Sequence, residues 1–195
     1  MRKAAKDRTR EALLAAAEAT FVERGYHSST VASIAAAAGH TTGALYALFA
    51  SKADVFLAVL DRRRETRLAE LDAHAEAGAG AQTVATQWFD RLAHERDWHL
   101  VSLEFQLHVA RDPELRAQYR PRHEALVDAA ARAAAAHGDG IPSAAVGRAA
   151  IAVGNGYALQ RFTDPESVAD AELAVAMASA LKAIAAWTAR GTQLT

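Results

Sequence analysis

The sequence predicts an all-α fold of about nine helices. Its 195 residues are 51% hydrophobic and 23% charged, which is enough apolar content to bury a core and excludes intrinsic disorder. Alanine is the most common residue, and the few glycines and prolines lie at the edges of segments with helical periodicity. No segment alternates apolar and polar residues with the β-branched content of a strand.

The first helix is expected over residues 9–24, where apolar residues recur at helical spacing. Gly25 follows as a left-handed residue, and Tyr26 is placed to pack back onto Phe21. Residues 1–8 are expected to precede this helix as a basic arm. The basic side chains of the arm and the start of the helix are Arg2, Lys3, Lys6, Arg8 and Arg10. Such a run is either a solvated tail or a contact for phosphates or a DNA minor groove.

Residues 30–49 predict two short helices joined by a tight glycine turn. Thr30 is placed to cap a helix that ends before Gly39, and Thr41 to cap a second helix over 42–49. The residues expected to face inward are Ile34, Ala35, Ala38, Leu45 and Phe49. This pattern is typical of a helix-turn-helix, although a helical hairpin that only packs has the same spacing.

The second short helix is expected to turn a nearly uncharged face outward, formed by Thr41, Thr42, Gly43, Tyr46 and Ala47. Short hydroxyl side chains and a glycine let a helix approach the wall of a DNA groove, and a tyrosine can reach a phosphate. Lys52 follows at the start of the next helix, where a phosphate contact is expected. The predicted DNA-binding residues are Thr30, Thr41, Thr42, Gly43, Tyr46 and Lys52.

The rest of the chain reads as six more helices separated by short breaks. The capping box at 51–54 begins a fourth helix that extends to about residue 77. The remaining five helices are predicted at about 82–95, 97–111, 114–137, 143–162 and 167–190.

The helix around residues 98–108 is apolar nearly all round, so it is expected to be buried. Its Glu104 and His108 therefore need partners. Either they pair with each other, or they belong to a largely apolar ligand pocket. The residues of that pocket would be Trp88, Trp98, Glu104, Phe105, His108, Asn155 and Tyr157.

Several function classes are disfavoured by what the sequence lacks. It has no cysteine, so a disulfide framework, a thiolate zinc site and a cysteine nucleophile are excluded. The pairs at 94–95 and 123–124 are His-Glu, but neither continues to the second histidine of a zinc-protease motif. We therefore expect no catalytic residue, metal or cofactor. The sequence also predicts no signal peptide and no membrane span, hence a cytoplasmic protein.

Residues 7–60 resemble the N-terminal domain of the TetR family of bacterial transcriptional repressors. The shared residues are Ala16, Ala17, Phe21, Arg24, Gly25, Tyr26, Thr30, Val31, Ile34, Ala35, Ala38, Gly39, Gly43, Leu45, Tyr46, Phe49, Ser51 and Lys52. The remainder is similar more loosely, chiefly at 111–116 and 158–165. The resemblance implies a homodimer that binds a near-palindromic operator and releases it when a small, largely apolar effector enters the C-terminal domain.

The resemblance also implies the domain organisation. Residues 9–52 would form the DNA-binding domain, and 53–195 the domain for effector binding and dimerisation. The last two helices carry an apolar stripe that is either intramolecular core or, as the resemblance implies, a four-helix seam between protomers. The predicted interface residues are Val146, Ala150, Val153, Leu173, Met177, Ala180, Ile184 and Trp187.

Four positions depart from the family pattern. Ala32 and Thr42 stand where family members often have basic residues, Ala47 where a histidine is frequent, and His40 where an aliphatic residue is usual. Residues 1–52 nevertheless carry seven basic against four acidic side chains. The weakly charged face keeps a second interpretation open, in which the chain is a helical small-molecule-binding protein that has lost DNA binding.

Overall fold

A computed structural model describes residues 2–78, 81–135, 143–166 and 169–191. Within these ranges the chain forms helices and turns and no strand, which confirms the predicted all-α class. The helices are α1 (Arg2–Ser28), α2 (Val31–Ala37), α3 (Thr42–Tyr46), α4 (Lys52–Glu76), α5 (Ala81–His94), α6 (Arg96–Arg111), α7 (Pro113–Ala135), α8 (Ala144–Thr163) and α9 (Asp170–Gly191).

The predicted boundaries hold within a few residues except at two places. Helix α1 begins at Arg2, so the prediction of a separate arm over 1–8 is wrong for the described residues. The reason is local, because lysine, arginine and alanine in this segment are strong helix formers. Helix α3 ends at Tyr46 instead of residue 49, with Ala47 as its C-cap. The predicted ends at 136–137 and 167–168 lie outside the described residues.

The chain divides into two compact units, and the first comprises Met1–Arg64 and Asp97–Arg120. The predicted boundary at residue 52 is therefore not where the units divide, because α6 belongs with the N-terminal helices. The buried residues of α6 are Val101, Phe105 and Val109. These side chains join the same apolar core as those of α1 to α4.

Aromatic rings form the centre of the first unit. Phe56 of α4 stacks on Phe105 with 4.2 Å between ring centroids, and it meets Phe21 edge-on at 5.0 Å. Trp98 lies nearly parallel to Phe56 at 5.4 Å. The predicted contact of Tyr26 with Phe21 is confirmed at 5.9 Å. Aromatic pairs at these spacings add to the free energy gained from burial alone.

An ion-pair network joins α1 to α4 at the edge of this core. Arg62 pairs with Glu11 and Glu18, and Arg63 also pairs with Glu18. Burial raises the pKa of Glu18, but hydrogen bonds and charges from the two arginines outweigh it and lower the pKa. The guanidinium of Arg63 also lies 4.6 Å from the ring centre of Trp98, which extends the network to α6.

The second unit comprises Glu65–Arg96 and Pro121–Thr195, described within the ranges given above. One apolar cluster joins α5, α8 and α9, and its buried members include Leu92, Ala158 and Met177. A smaller cluster joins α4 to α7 through Leu71, Ala129 and Ala133. Helices α7 and α8 approach so closely at Gly147 that a Cβ there would lie 2.1 Å from the backbone oxygen of Val127.

We expect Gly147→Ala to lower the free energy of unfolding by about 1–3 kcal/mol, because the added methyl group meets backbone that cannot move aside. Gly156, in the same helix, has open space at its Cβ position. Gly156→Ala should therefore be neutral or stabilising by about 0.4–1 kcal/mol. Urea denaturation followed by circular dichroism measures both values. Equal stability of the two variants would contradict the close approach at Gly147.

Candidate nucleic-acid interface

Helices α2 and α3 are short and are fixed mainly by local caps. The backbone N–H of Ser33 donates to the Thr30 hydroxyl oxygen at 3.0 Å, and the Ser33 hydroxyl oxygen accepts from the Thr30 N–H at 3.1 Å. This reciprocal capping box confirms Thr30 as the N-cap of α2. Thr41 caps α3 in the same way by accepting from the N–H of Ala44 at 3.1 Å.

A glycine turn joins the two helices. Gly39 has a φ of 68°, in the left-handed region that a side chain disfavours. The following N–H, of His40, donates to the carbonyl oxygen of Ala35 at 2.9 Å and so satisfies a helix-end carbonyl. Beneath the turn, Ile34 and Leu45 are fully buried, and Phe49 is nearly so, as predicted. The core therefore fixes the angle between α2 and α3.

The opposite face of α3 is exposed. All five residues predicted to point outward, which are Thr41, Thr42, Gly43, Tyr46 and Ala47, are solvent-exposed. The Tyr46 side chain is prominent, since the residue retains 57% of its accessible surface. The exposed surface thus presents short polar groups beside one phenol and carries no formal charge.

The chain enters α2 through a tight turn at Gly25–Ser29. Gly25 has φ 76° and ψ 168°, a conformation open essentially to glycine alone, so it breaks α1 before Tyr26. The Ser29 hydroxyl is buried and donates to the Gly25 carbonyl oxygen at 2.7 Å. Sequence reasoning predicted the positive φ of Gly25 but missed Ser29, whose role is visible only once the turn is formed.

Glu104 of α6 holds this turn from the core side. Its Oε2 accepts the backbone N–H of Tyr26 at 2.8 Å, which gives Glu104 a partner that neither interpretation of the sequence had expected. A Cβ on Gly25 would lie 3.0 Å from the same carboxylate oxygen, which gives Gly25 a second reason to lack a side chain. His108 instead packs against the ring of Tyr26 at 5.2 Å. Burial, followed by Asp112 and Asp54, raises the pKa of Tyr26 to about 12.

Lys52 holds the turn from the other side. Its Nζ donates to the carbonyl oxygens of Tyr26 at 2.7 Å, His27 at 3.2 Å and Ser29 at 2.8 Å. The ammonium also lies 4.4 Å from the ring centre of Tyr26, and desolvation lowers its pKa. An ammonium has three donors, and all three are used here. A phosphate contact by Lys52, as predicted from sequence, would have to compete with these bonds.

Another cation lies beside α3. The guanidinium of Arg10 is 5.3 Å from the ring centre of Phe49, close to the end of that helix, and Arg10 is solvent-exposed. The exposed basic side chains of the preceding turns of α1 are Lys3, Lys6 and Arg8. The side chain of Arg2 lies outside the described residues. The sequence flagged this basic run but could not place Arg10 against Phe49.

The seven residues predicted to line an effector pocket are divided between the two units. Trp98, Glu104, Phe105 and His108 belong to the first unit, where they surround Tyr26 and Phe56. Trp88, Asn155 and Tyr157 belong to the second unit. There, Trp88 and Tyr157 pack at the edge of the cluster formed by α5, α8 and α9.

Three residues of the predicted seam of α8 and α9 belong to the chain's own core. Val146, Leu173 and Met177 are only 5–7% exposed within the second unit. Ala150, Val153 and Ala180 are partly exposed, and the side chains of Ile184 and Trp187 lie outside the described residues. Among the described side chains of these helices, the large apolar ones that are exposed are Leu159, at 51%, and Val175, at 54%.

The described residues also bear on membranes and metals. None of the helices in the four described ranges is both long and apolar enough to cross a membrane. In the same ranges, no group of three or more His, Asp or Glu side chains is arranged to hold a metal ion.

We expect Lys52→Met to lower the free energy of unfolding by about 1–3 kcal/mol, because three carbonyl groups lose a charged donor. Lys6→Met is the matched control, since Lys6 is exposed on α1 in the same unit. Thermal and urea unfolding of both variants, with no DNA present, measure the difference. Equal stabilities of the two variants would contradict the structural role of Lys52. Lys52 would then again be a candidate for a phosphate contact.

Known protein families match both the N-terminal and the C-terminal part of the chain. Residues 13–59 match the family described as bacterial regulatory proteins, tetR family. Residues 79–186 match the tetracyclin repressor-like C-terminal domain. The first match covers α2, α3 and their turn, and the second covers most of the second unit.

Curated relatives include three transcriptional regulators. The chain is 48% identical over 62 residues to the repressor BepR of Brucella suis, covering 32% of this chain and 30% of that protein. It is 30% identical over 128 residues to the activator FasR of Mycolicibacterium smegmatis, covering 64% and 58%. It is 31% identical over 124 residues to the repressor AcnR of Corynebacterium efficiens, covering 64% and 62%. The chain thus spans about a third to three fifths of the length of these relatives.

Solved structures share the fold over nearly the whole chain. A TetR-family regulator from Mesorhizobium loti has a TM-score of 0.70 at 18% identity, covering 93% of this chain and 96% of that one. FadR of Bacillus subtilis, solved with stearoyl-CoA, has a TM-score of 0.69 at 17% identity, covering 88% and 96%. With a capped helix-turn-helix, an all-helical remainder and family matches over both halves, the chain belongs to the TetR family of bacterial regulatory proteins.

Proposed function

We propose that the chain is a ligand-responsive transcriptional repressor that binds a near-palindromic operator as a homodimer and releases it on binding a small effector. The exposed face of α3 carries this proposal. Its short polar residues and glycine allow close approach to base edges in a major groove. Caps and a buried core hold both α2 and α3 in place.

The side chains divide into two roles at the DNA. Thr42 and Gly43, in the first turn of α3, meet base edges, with Thr41 beside them. Tyr46 donates its hydroxyl to a phosphate, and Thr30 lies at the start of α2, where the backbone passes. Arg10 supplies the charge that α3 lacks, because its guanidinium is already positioned against Phe49.

Release by an effector has a physical route through α6. The Glu104 carboxylate holds the Tyr26 N–H, and Tyr26 lies four residues before the cap of α2. A shift of α6 in the effector-bound state would move this turn and thus α2 and α3. The curated relatives include repressors and an activator, so the direction of the response is part of the proposal and not of the family membership.

The homodimer is proposed to form through the outer faces of α8 and α9. Leu159 and Val175 are large apolar residues that remain more than half exposed in the single chain. Predicted seam residues that pack inward, such as Met177, would form the apolar core beneath this surface. A two-fold homodimer carries two copies of α3, as the two half-sites of a near-palindromic operator require.

The alternative, a small-molecule-binding protein without DNA binding, is favoured by one observation. The residues of the α3 face carry no formal charge. Selection from a random duplex library with the purified chain at low salt separates the two functions. Enrichment of a near-palindromic sequence supports the repressor, whereas no binding to any duplex would support the alternative.

We expect Thr42→Ala to change the preferred DNA sequence, because a base-edge contact is lost. The binding free energy should change by about 1–3 kcal/mol per affected base pair. Arg10→Gln should weaken binding to specific and scrambled duplexes alike. It should also reduce by about one the slope of log affinity against log salt concentration. Tyr46→Phe should also act on both duplexes, with a smaller salt effect because the phenol is neutral. Titrations at several salt concentrations measure these changes.

Arg132→Gln is the control for these titrations, since Arg132 is an exposed arginine of the second unit and lies on α7, not on the proposed dimer helices α8 and α9. It should leave affinity and slope unchanged. The division into base-reading and phosphate-contacting residues is wrong if Thr42→Ala lowers both affinities equally, or if Arg10→Gln affects only the specific duplex.

For the dimer, we expect Leu159→Asp and Val175→Asp each to yield a folded monomer at low micromolar concentration, because each places an unpaired charge in an apolar contact. Leu107→Asp is the control, since Leu107 of α6 is 60% exposed and lies in the first unit. Analytical ultracentrifugation gives the mass and circular dichroism the helix content. Persistent dimers of both variants would refute this surface.

A further inference from the structure

Two arginines of the second unit meet at one carboxylate. Nη1 of Arg67, on α4, lies 3.5 Å from Oε2 of Glu70, and Nη2 of Arg91, on α5, is paired with the same oxygen. Nη1 of Arg91 lies 3.8 Å from Oε1 of Glu95, which is too long for a hydrogen bond. The side chains of Arg67, Glu70 and Arg91 are 26%, 29% and 33% exposed, so the group is mostly covered yet open to solvent.

The two guanidinium groups have more donors than these carboxylates satisfy. Nε of Arg91 is buried and has no hydrogen-bond partner among the described residues. Burial, followed by the charge of Arg91, lowers the pKa of Arg67, while Glu70 and Glu95 oppose that shift. Two cations are thus held close together in a poorly solvated place, with donor capacity left over. An additional or better-placed anion would offset the repulsion between the two cations and would accept hydrogen bonds from their unused N–H donors.

An apolar surface adjoins this pair. Trp88 lies three residues before Arg91 on α5, so the two side chains are neighbours on one helix face. Gly154 of α8 has no side chain to separate it from the indole, and a Cβ there would lie 3.4 Å from Cζ2 of Trp88. Trp88 in turn packs against the cluster that contains Leu92 and Met177. The partly exposed indole of Trp88 and a paired cationic group therefore lie next to each other.

We propose that Arg67 and Arg91 bind the carboxylate of an amphipathic organic anion, which displaces Glu70 and lays its apolar part along Trp88. The inference rests on the proposed function, because it names the chemical class of the effector. A carboxylate is favoured over a neutral polar group because the site already holds one, and a guanidinium fork pairs with carboxylates in bidentate fashion.

Isothermal titration calorimetry of the full chain without DNA tests this inference. The probes are octanoate, dodecanoate and palmitate below their critical micelle concentrations, with the alcohol of each chain length as the neutral control. We expect at least one carboxylate to bind about tenfold more tightly than its alcohol, the effect of one charge-assisted pair. Equal affinity of each acid and its alcohol, or no binding of any carboxylate, would overturn the proposal.

Single substitutions test whether the carboxylate binds at Arg67 and Arg91. Arg67→Gln and Arg91→Gln should each weaken carboxylate binding about tenfold, whereas Glu70→Gln should strengthen it by removing the internal competitor. Arg132→Gln is the matched control, since Arg132 pairs with Asp72 in the same unit, and it should have no effect. Unchanged binding in both arginine variants, or weaker binding in Glu70→Gln, would show a purely structural ion pair. Because the assay contains no DNA, failure of operator binding leaves its result intact.

Discussion

The turn at Gly25–Ser29 is the constraint on which the N-terminal helices depend. It reverses the chain between α1 and α2 in a backbone conformation that costs free energy, so neighbouring groups must hold it. Lys52 binds its carbonyl oxygens and Glu104 binds its N–H, which places opposite charges on opposite ends of the peptide dipoles. These bonds are charge-assisted, and those to the Tyr26 N–H, the Tyr26 carbonyl and the Ser29 carbonyl are partly shielded from water, which strengthens them.

This arrangement explains why α6 belongs to the first unit although it lies far along the chain. Phe105 fills the space between Phe56 and Tyr26, and Glu104, the preceding residue, reaches the turn. A helix that supplies both an apolar ring and a partly buried carboxylate cannot be removed without depriving the Tyr26 N–H of its partner. The geometry of α2 and α3 is therefore a property of α1, α4 and α6 together.

The features predicted from sequence are those set by near neighbours. The caps of Thr30 and Thr41 act across three residues, and the turn at Gly39 depends on its own φ. The roles that sequence reasoning missed act over long separations, 26 residues for Lys52 to Tyr26 and 78 for Glu104 to Tyr26. Periodicity predicted a buried α6, which is right for Val101, Phe105 and Val109 and wrong for Leu107, and it carries no information about which backbone group a carboxylate will meet. The same limit applies to the pocket residues, since helical spacing does not indicate in which unit a residue packs.

Charge near α3 is smaller than the sequence suggests. Residues 1–52 have an excess of basic side chains, yet the ammonium of Lys52 is committed to the turn at Gly25–Ser29. The cations that remain exposed are those on the N-terminal turns of α1, which end at Arg10 beside Phe49, and Arg24, which pairs with Glu23. Long-range attraction to a phosphate backbone would come chiefly from the start of α1, while the α3 face contributes contacts without charge. A surface built in this way depends on fit and on short hydroxyl groups for sequence preference, and its general affinity for DNA rests on few cations.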